Sequence, residues 1–146
     1  MQIDKIGRQL IYNEEGVVLN SYLCSAGIPT LGIGFTYYPS TGKKVKMGEK
    51  ITRVECDQIF NQIIKTFEQA VNKAIKVALT QNQFNALVSL CFNIGVGAFT
   101  GSTLVKKINT QSHILDIEKW FLAWKNSGGK PILLNRRKRE FKIYNT

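Results

Sequence analysis

Residues 52–75 read TRVECDQIFNQIIKTFEQAVNKAI, a pattern that predicts one long amphipathic helix. Thr52 and Glu55 have the spacing of a capping box, in which each side chain hydrogen-bonds to the other residue's backbone amide. Apolar residues then keep a helical period for about seven turns. A helix of this length spans about 35–40 Å at 1.5 Å per residue, which is enough to connect two lobes. The apolar positions are Cys56, Ile59, Phe60, Ile63, Ile64, Phe67, Ala70, Val71, Ala74 and Ile75.

The sequence before this helix changes character at Gly16. From Asp4 to Glu15 the apolar residues have helical spacing, and Gly16 directly after them is typical of a helix end. Residues 17–48 contain many glycines and prolines between short apolar runs such as Thr30-Leu31-Gly32-Ile33-Gly34. This pattern predicts short antiparallel strands and hairpins.

The sequence after the long helix is helical. A second capping box, Thr80-Gln81-Asn82-Gln83, begins a helix that should end near Gly95. Further helices are expected at Leu104–Ile108, from Ile114 to Trp124 with an end at Gly128-Gly129, and over Arg136–Tyr144.

These elements predict an α+β fold in which one domain, residues 1–146, is mostly helical. Residues 1–51 would form the N-terminal helix and a small β-rich lobe, residues 52–78 the connecting helix, and residues 79–146 an all-α lobe. A cleft between two unequal lobes would be the expected ligand site.

Composition limits the possible functions. The chain has 146 residues, with 20 Lys and Arg against 10 Asp and Glu, so its formal net charge is +10. That charge first suggests a polyanionic partner: nucleic acid, an anionic membrane or an acidic glycan. The cysteines, Cys24, Cys56 and Cys91, lack the spacing of a zinc site, and their odd number argues against a dense disulfide framework and for a reducing compartment. The N-terminus does not read as a secretory signal, and no apolar run is long enough to cross a membrane.

The few acidic residues can be considered one by one. Glu14 and Glu15 lie at the expected end of the first helix, where the helix dipole disfavours a carboxylate. Partial burial there would raise a glutamate's pKa, as a general acid requires, although an exposed acidic pair is the simpler interpretation. The remaining helical acids are expected on solvated faces; these are Glu55, Asp57, Glu68 and Glu118.

The spacing of Glu15 from later residues favours its interpretation as a general acid. Eight residues separate Glu15 from Cys24, and five separate Cys24 from Thr30. This pattern resembles the phage-type lysozymes, the muramidase endolysins of glycoside hydrolase family 24. Further similarities follow in family order along the whole chain: Ile51-Thr52 with Phe60-Asn61, residues 79–95, Ser102-Thr103-Leu104, Trp124, Gly128-Gly129-Lys130, and Arg136-Arg137 with Glu140.

The resemblance implies hydrolysis of the β-1,4 bond between N-acetylmuramic acid and N-acetylglucosamine. Glu15 would be the general acid, and Cys24 and Thr30 would assist the attacking water, in an inverting reaction. Cys24 stands where many members carry Asp, and Phe35 stands where many carry His. Cys24 can polarise a water, attack as a thiolate, or be a buried small hydrophobic residue.

The resemblance also implies the surroundings of the reaction. Substrate contacts are expected from Thr36, Phe92, Asn93 and Ser102, beside an aromatic face, and Phe35 directly precedes Thr36. The partner is the peptidoglycan glycan strand, and no metal or organic cofactor is needed. A monomer is expected, without a signal peptide and without stable membrane insertion. It would accumulate in the host cytoplasm and reach the periplasm or cell wall through a holin.

Other residues have simpler interpretations. Cys56 and Cys91 are expected as core thiols, Trp120 and Trp124 as core residues, and His113 as a surface or capping residue. The basic stretch from residue 125 to 142 is expected to be a solvated helix face. Two alternative functions rest on this stretch: a non-catalytic nucleic-acid-binding module, and membrane disruption by the C-terminal helix. It lacks the interleaved aromatic residues of a single-strand binding surface, so no nucleic-acid partner is expected.

Overall fold

The computed structural model describes all residues from Met1 to Thr146. It contains seven α-helices and one two-stranded sheet, which confirms the expected α+β class. In chain order the elements are α1 (Lys5–Glu15), β1 (Val18–Leu23), β2 (Pro29–Gly32), α2 (Arg53–Ala74), α3 (Gln81–Ile94), α4 (Val96–Thr100), α5 (Thr103–Asn109), α6 (Ile114–Leu122) and α7 (Leu134–Tyr144).

Both predicted capping boxes are present. At the start of α2, the Glu55 amide donates to Thr52 Oγ1 at 3.1 Å, and the Thr52 amide donates to Glu55 Oε1 at 3.2 Å. The same reciprocal pair joins Thr80 and Gln83 at the start of α3. With 22 residues, α2 is about 33 Å long, slightly shorter than expected.

The chain divides into two compact units. The β unit is Ile11–Lys65, and the helical unit is Met1–Leu10 together with Thr66–Thr146. That residues 1–146 form one domain with a ligand-binding cleft stays a prediction.

In the β unit, β1 and β2 form an antiparallel hairpin in which Tyr22 faces Thr30 and Val18 faces Gly32. Gly32 has φ +60°, and a Cβ at this position would lie 2.4 Å from a ring carbon of Phe35. This close approach and this backbone conformation both require glycine. The core of the unit is apolar and consists of Ile11, Tyr12, Leu31, Ile33, Phe35, Val45, Ile51, Cys56, Phe60 and Ile64.

In the helical unit, α3 is the most deeply buried element. Every residue from Phe84 to Cys91 is buried, including the polar Asn85 and Ser89, so protein surrounds this span of the helix on all sides. Its C-terminal cap is Gly95, with φ +94°, where the sequence predicted the end. Burial raises the pKa of the Cys91 thiol to about 12, and Cys56 is equally inaccessible, which confirms both as core thiols.

Several expectations about the helical unit were wrong. The short helix α4 was not predicted, and α6 ends at Leu122, well before Gly128. Trp120 and Trp124 are half-buried and line a small surface pocket rather than the core.

Glu68 was expected on a solvated face but is buried. Its carboxylate accepts a hydrogen bond from the Ile3 amide at 2.9 Å, which compensates for the loss of water. His113 is exposed and caps α6 by accepting from the Leu115 amide at 3.2 Å, as expected. None of the helices combines the length and the apolar character that crossing a bilayer requires.

Candidate active site

Glu15 is the last residue of α1, and its side chain is half-buried. The helix ends there because Gly16 takes a left-handed conformation, with φ +75°, and its amide donates to the Tyr12 carbonyl at 2.9 Å. Tyr12 fixes this end of the helix to α2, since its hydroxyl donates to Asp57 at 2.5 Å and its ring packs edge-on against Phe60. The carboxyl group of Glu15 is therefore held on a fixed helix end.

Cys24 occupies the first position of the β1–β2 hairpin loop. Its amide donates to the Ile28 carbonyl at 3.0 Å, and its carbonyl accepts from the Gly27 amide at 2.8 Å. Gly27 has φ +74°, so this is a short hairpin loop closed by a left-handed glycine. The loop holds the Cys24 side chain partly exposed beside the backbone amides of the turn.

The loop lowers the pKa of the Cys24 thiol below its ordinary value of 9.0. The largest cause is a hydrogen bond from the Ile28 amide to the sulfur, followed by one from the Ala26 amide. Partial burial opposes this effect, and the Thr30 hydroxyl adds to it. Hydrogen-bond donors that point at the sulfur favour the thiolate, which is the reactive form.

Thr30 lies opposite Tyr22 on β2, and its side chain is buried. The hydroxyl donates to the Ile28 carbonyl at 2.8 Å and also contributes a hydrogen bond at Cys24. A hydroxyl has one proton and two lone pairs, so the Thr30 oxygen keeps the capacity to accept a hydrogen bond from a water. The structure thus brings Thr30 and Cys24 together.

Phe35, which directly precedes Thr36, offers no aromatic face at the surface. Phe35 is buried, and its backbone forms two hydrogen bonds with Leu31 that close the turn after β2. The neighbouring Thr36 is half-buried, and its carbonyl accepts from the Val45 amide at 3.0 Å. Thr36 therefore begins the next hairpin, with its hydroxyl not used in a hydrogen bond to the protein.

Three of the expected substrate contacts belong to the helical unit. Phe92 is half-buried near the end of α3 and packs against Phe67 with ring centroids 5.0 Å apart. Asn93 follows it and accepts from Arg137 at 2.6 Å. Ser102 is buried and caps α5, accepting from the Val105 amide and donating to the Phe99 carbonyl. A contact from Ser102 to substrate stays a prediction.

The basic C-terminal helix contains an ion-pair cluster that was not predicted. Arg136, Arg137 and Glu140 are buried, so the expectation of a solvated face was wrong for them. Glu140 Oε1 accepts from Arg136 Nε at 2.9 Å and lies 3.0 Å from Arg137 Nη2. The same Nη2 donates to Asn93, so the cluster orients the Asn93 amide. Only the spacing of Glu140, three and four residues after the arginines, indicated an ion pair.

Because Arg136 and Arg137 are buried, only part of the basic stretch is exposed. Lys138, Arg139 and Lys142 remain exposed on α7. The positive surface of this helix is therefore smaller than the sequence suggested, which weakens both alternative functions.

Comparison with known proteins is consistent with this geometry. The family model for phage lysozyme matches residues 12–140. The endolysin of Salmonella phage P22 is 39% identical over 145 residues, which cover 99% of this chain and 98% of the phage protein. The solved structure of an endolysin from Escherichia coli O157:H7 phage FAHEc1 is 41% identical with a TM-score of 0.90, covering 99% and 93% of the two chains. The muramidase domain of SpmX from Asticaccaulis excentricus is 28% identical with a TM-score of 0.84, covering 99% and 98%.

Proposed function

The chain belongs to the phage lysozyme family and is a glycoside hydrolase, and from this premise we propose its substrate, its catalytic residues and its route to the cell wall. The substrate is bacterial peptidoglycan. The bond that is hydrolysed is the β-1,4 glycosidic bond between N-acetylmuramic acid and N-acetylglucosamine, and its hydrolysis lyses the host cell.

The Cys24 hairpin is the observation that carries the proposal. An inverting glycosidase must place a group that activates water on the opposite side of the sugar from its acid. The amides of Ile28 and Ala26 lower the pKa of Cys24, and the Thr30 hydroxyl lies beside it. A thiolate and a hydroxyl held together in this way can bind one water and direct its lone pair at the anomeric carbon.

Glu15 supplies the proton. The leaving oxygen of the broken bond must be protonated as it departs, and a carboxylic acid does this in most glycosidases. Glu15 is half-buried on a fixed helix end in the same compact unit as Cys24 and Thr30. It gives its proton to the leaving oxygen while the water adds to the anomeric carbon and gives up a proton to the Cys24 thiolate, so one C–O bond breaks as another forms.

Sugar binding is assigned to polar and aromatic groups outside the reacting centre. The Asn93 amide is oriented by Arg137 and keeps its nitrogen available to donate to an acetamido or hydroxyl oxygen. Phe92 offers a partly exposed ring that can stack on a sugar face. Thr36 offers a hydroxyl, and Ser102 would contribute through its remaining lone pair.

The route to the wall follows from the same proposal. The enzyme is a monomer that accumulates in the host cytoplasm and is released by a holin to the periplasm or cell wall. This release is a functional dependence and does not require a stable complex.

The experiment that tests the catalytic assignment compares two neighbouring acids. Glu15→Gln should lower the release of reducing ends from purified peptidoglycan by about 10²- to 10⁴-fold, the usual contribution of a general acid. Glu14→Gln removes the same charge from the same helix turn and should keep most of the activity. The melting temperature of both variants is measured as a control for folding.

Two outcomes would contradict the proposal. Equal activity of Glu15→Gln and the parent would remove Glu15 from the reaction. Release of products other than muramic acid reducing ends would show that a different bond is hydrolysed.

A further inference from the structure

A groove lined by lysines lies in the β unit, outside the residues assigned to the reaction. It has a volume of about 470 Å³ and is lined by Tyr38, Lys43, Lys44, Lys46 and Glu49. We refer to these five residues as the lysine groove. The three lysines are exposed, and Tyr38 and Glu49 are half-buried.

The backbone holds the lysine groove in a defined shape. The Tyr38 amide donates to the Lys43 carbonyl at 2.8 Å, and Tyr37 pairs with Lys44 in an antiparallel bridge. The turn between them is closed by Gly42, with φ +72°, whose amide donates to the Tyr38 carbonyl. The lysines are thus placed by a hairpin rather than by a mobile loop of undefined shape.

The lysine groove carries an excess of positive charge. None of its three ammonium groups forms an ion pair within the protein. Its one carboxylate, on Glu49, accepts from the Lys46 amide and lies against the Tyr38 phenol, whose pKa is raised by burial and by this carboxylate. Glu49 is therefore already engaged, and three lysines against one glutamate leave a net charge of about +2 for an anion from outside.

The lysine groove is connected to the hairpin that holds Cys24. Asn20 of β1 pairs antiparallel with Lys50, and the Ser21 amide donates to the Glu49 carbonyl at 2.9 Å. The antiparallel pairing places Glu49 nearer to Cys24 than Lys50, and a turn closed by the Glu49 amide, which donates to the Lys46 carbonyl at 3.3 Å, then brings Lys46 back beside Glu49. Ser21 is three residues before Cys24, so Glu49 lies about 10 Å from the hairpin loop at 3.3 Å per strand residue.

We propose that the lysine groove binds carboxylates of the peptides attached to the glycan strand, and so holds peptidoglycan beside the reacting bond. The inference rests on the proposed function, because it assigns a second contact to the same substrate. Peptidoglycan is a polymer whose stem peptides carry free carboxylates at regular intervals. A strand that passes Cys24 extends well beyond the reacting sugar, and a positive groove about 10 Å away along β1 meets these peptides.

The shape of the groove favours a carboxylate over a membrane surface. A bilayer is broad and flat, and it is best met by a convex patch of cations with apolar side chains. The lysines here line a concave groove, which suits a single small anionic group reached from several sides. Tyr37 and Met47 are exposed nearby, so an anionic lipid surface is the alternative that the test must separate.

The experiment compares the parent with the variant Lys43→Gln/Lys44→Gln/Lys46→Gln. The KM for purified Gram-negative peptidoglycan should rise about fivefold at low ionic strength, because three exposed charge contacts are lost. The kcat should change less than twofold, since no reacting group is altered. The salt dependence of KM should also be weaker in the variant than in the parent.

Two further variants distinguish an effect of the lysine groove from an effect of net charge or of altered folding. Lys73→Gln/Lys106→Gln/Lys138→Gln removes three exposed lysines of the helical unit, and its KM should stay within twofold of the parent. The variant with arginine at all three groove positions keeps the charges and should restore the parental KM. The melting temperatures of all variants are compared with that of the parent.

A chemically modified substrate separates the carboxylates from the glycan. Peptidoglycan whose carboxylates have been converted to amides by carbodiimide coupling lacks the proposed ligand. On this substrate the parent and the glutamine variant should have similar KM values. A binding readout is added by pelleting Glu15→Gln protein with peptidoglycan, with and without the groove substitutions.

Each other result would overturn the inference. An unchanged KM would mean that the groove does not bind the substrate, and an equal rise in the helical-unit variant would assign the effect to net charge. A difference that persists on amidated peptidoglycan would exclude the carboxylates. Loss of binding to vesicles of anionic phospholipid with an unchanged KM would assign the groove to lipid. If the parent itself releases no reducing ends, the proposed function fails first, and the pelleting assay still reports on the groove.

Discussion

Replacing Glu140 by glutamine tests whether the buried ion-pair cluster stabilises the helical unit. Glu140 has no exposed surface, and its Oε1 lies 2.9 Å from Arg136 Nε and 3.0 Å from Arg137 Nη2. Both guanidinium groups are also buried, with side-chain exposures of 7% and 0%. Glu140→Gln keeps the volume and one acceptor oxygen but removes the negative charge, which leaves two cations facing each other away from water.

The expected loss follows from the cost of an uncompensated buried charge. Breaking a buried ion pair by removing one partner costs about 3–5 kcal/mol of the free energy of unfolding. The retained amide oxygen keeps part of the hydrogen bonding, so the lower end, about 3 kcal/mol, is expected. At about 2–4 °C per kcal/mol for a chain of this size, the melting temperature should fall by about 6–12 °C.

The assay is urea unfolding followed by circular dichroism. The Glu140→Gln midpoint should shift to lower urea with an unchanged slope, which shows that stability changed and not the extent of unfolding. Lys138→Gln is the matched control, because Lys138 is exposed on the same helix, and its effect should stay within about 0.5 kcal/mol. A Glu140→Gln protein within about 1 kcal/mol of the parent would refute the reasoning.

Substitutions at two further positions, Cys24 and Gly32, test the β unit. The thiolate fraction of Cys24 rises as the pH passes its pKa, which the hairpin amides lower below 9.0. If the thiolate is the working form, peptidoglycan hydrolysis should therefore rise with pH through a midpoint below 9.0. Cys24→Ser should lose this rise and Cys24→Asp should move it to the acidic range of a carboxyl group, whereas identical pH profiles for the parent and Cys24→Ser would assign Cys24 to packing. Gly32→Ala should destabilise the protein by about 2 kcal/mol or more in thermal unfolding, since the new Cβ meets the buried Phe35 ring at 2.4 Å and φ is +60°. An unchanged melting temperature would show that Phe35 moves aside without cost.

The helices that could be predicted are those with signals written in neighbouring residues. The two capping boxes and the apolar period of α2 depend only on residues three or four positions apart. Gly16 and Gly95 end their helices through their own backbone conformation. Such local effects have the same physical cause in any fold, so the sequence alone is sufficient.

Burial of charge could not be predicted from the same signals. Glu68 has a helical position typical of a solvated face, yet it accepts from the Ile3 amide, 65 residues away. Arg137 similarly joins Glu140, three residues later on its own helix, to Asn93 on α3. A polar residue of this kind can be buried because a partner distant in sequence satisfies its hydrogen bonds. The spacing of residues along one helix does not identify that partner.

Glu15, Cys24 and Thr30 stay predicted site residues, and the groups that lower the pKa of Cys24 could not be predicted. Spacing proposed these three residues, and the hairpin brings Thr30 beside the Cys24 sulfur. The groups that lower the pKa of Cys24 are mainly backbone amides, of Ile28 and Ala26, and every residue type except proline carries such an amide. The side-chain sequence of the loop therefore cannot show which amides point at the sulfur.

The net charge of +10 does not show where an anionic polymer would bind, because not every cation is accessible to it. Arg136 and Arg137 are buried against Glu140, and Lys107 lies 2.9 Å from Asp116. Exposed charges separated by more than a Debye length of about 8–10 Å act almost independently at physiological salt. Attraction at contact is therefore determined by local clusters such as the lysine groove, while the total charge acts on the approach from a distance. For this reason the glutamine variants of the lysine groove and of the helical unit, which have equal net charge, should differ in KM. That difference would measure the effect of where the lysines lie, because the number of charges removed is the same.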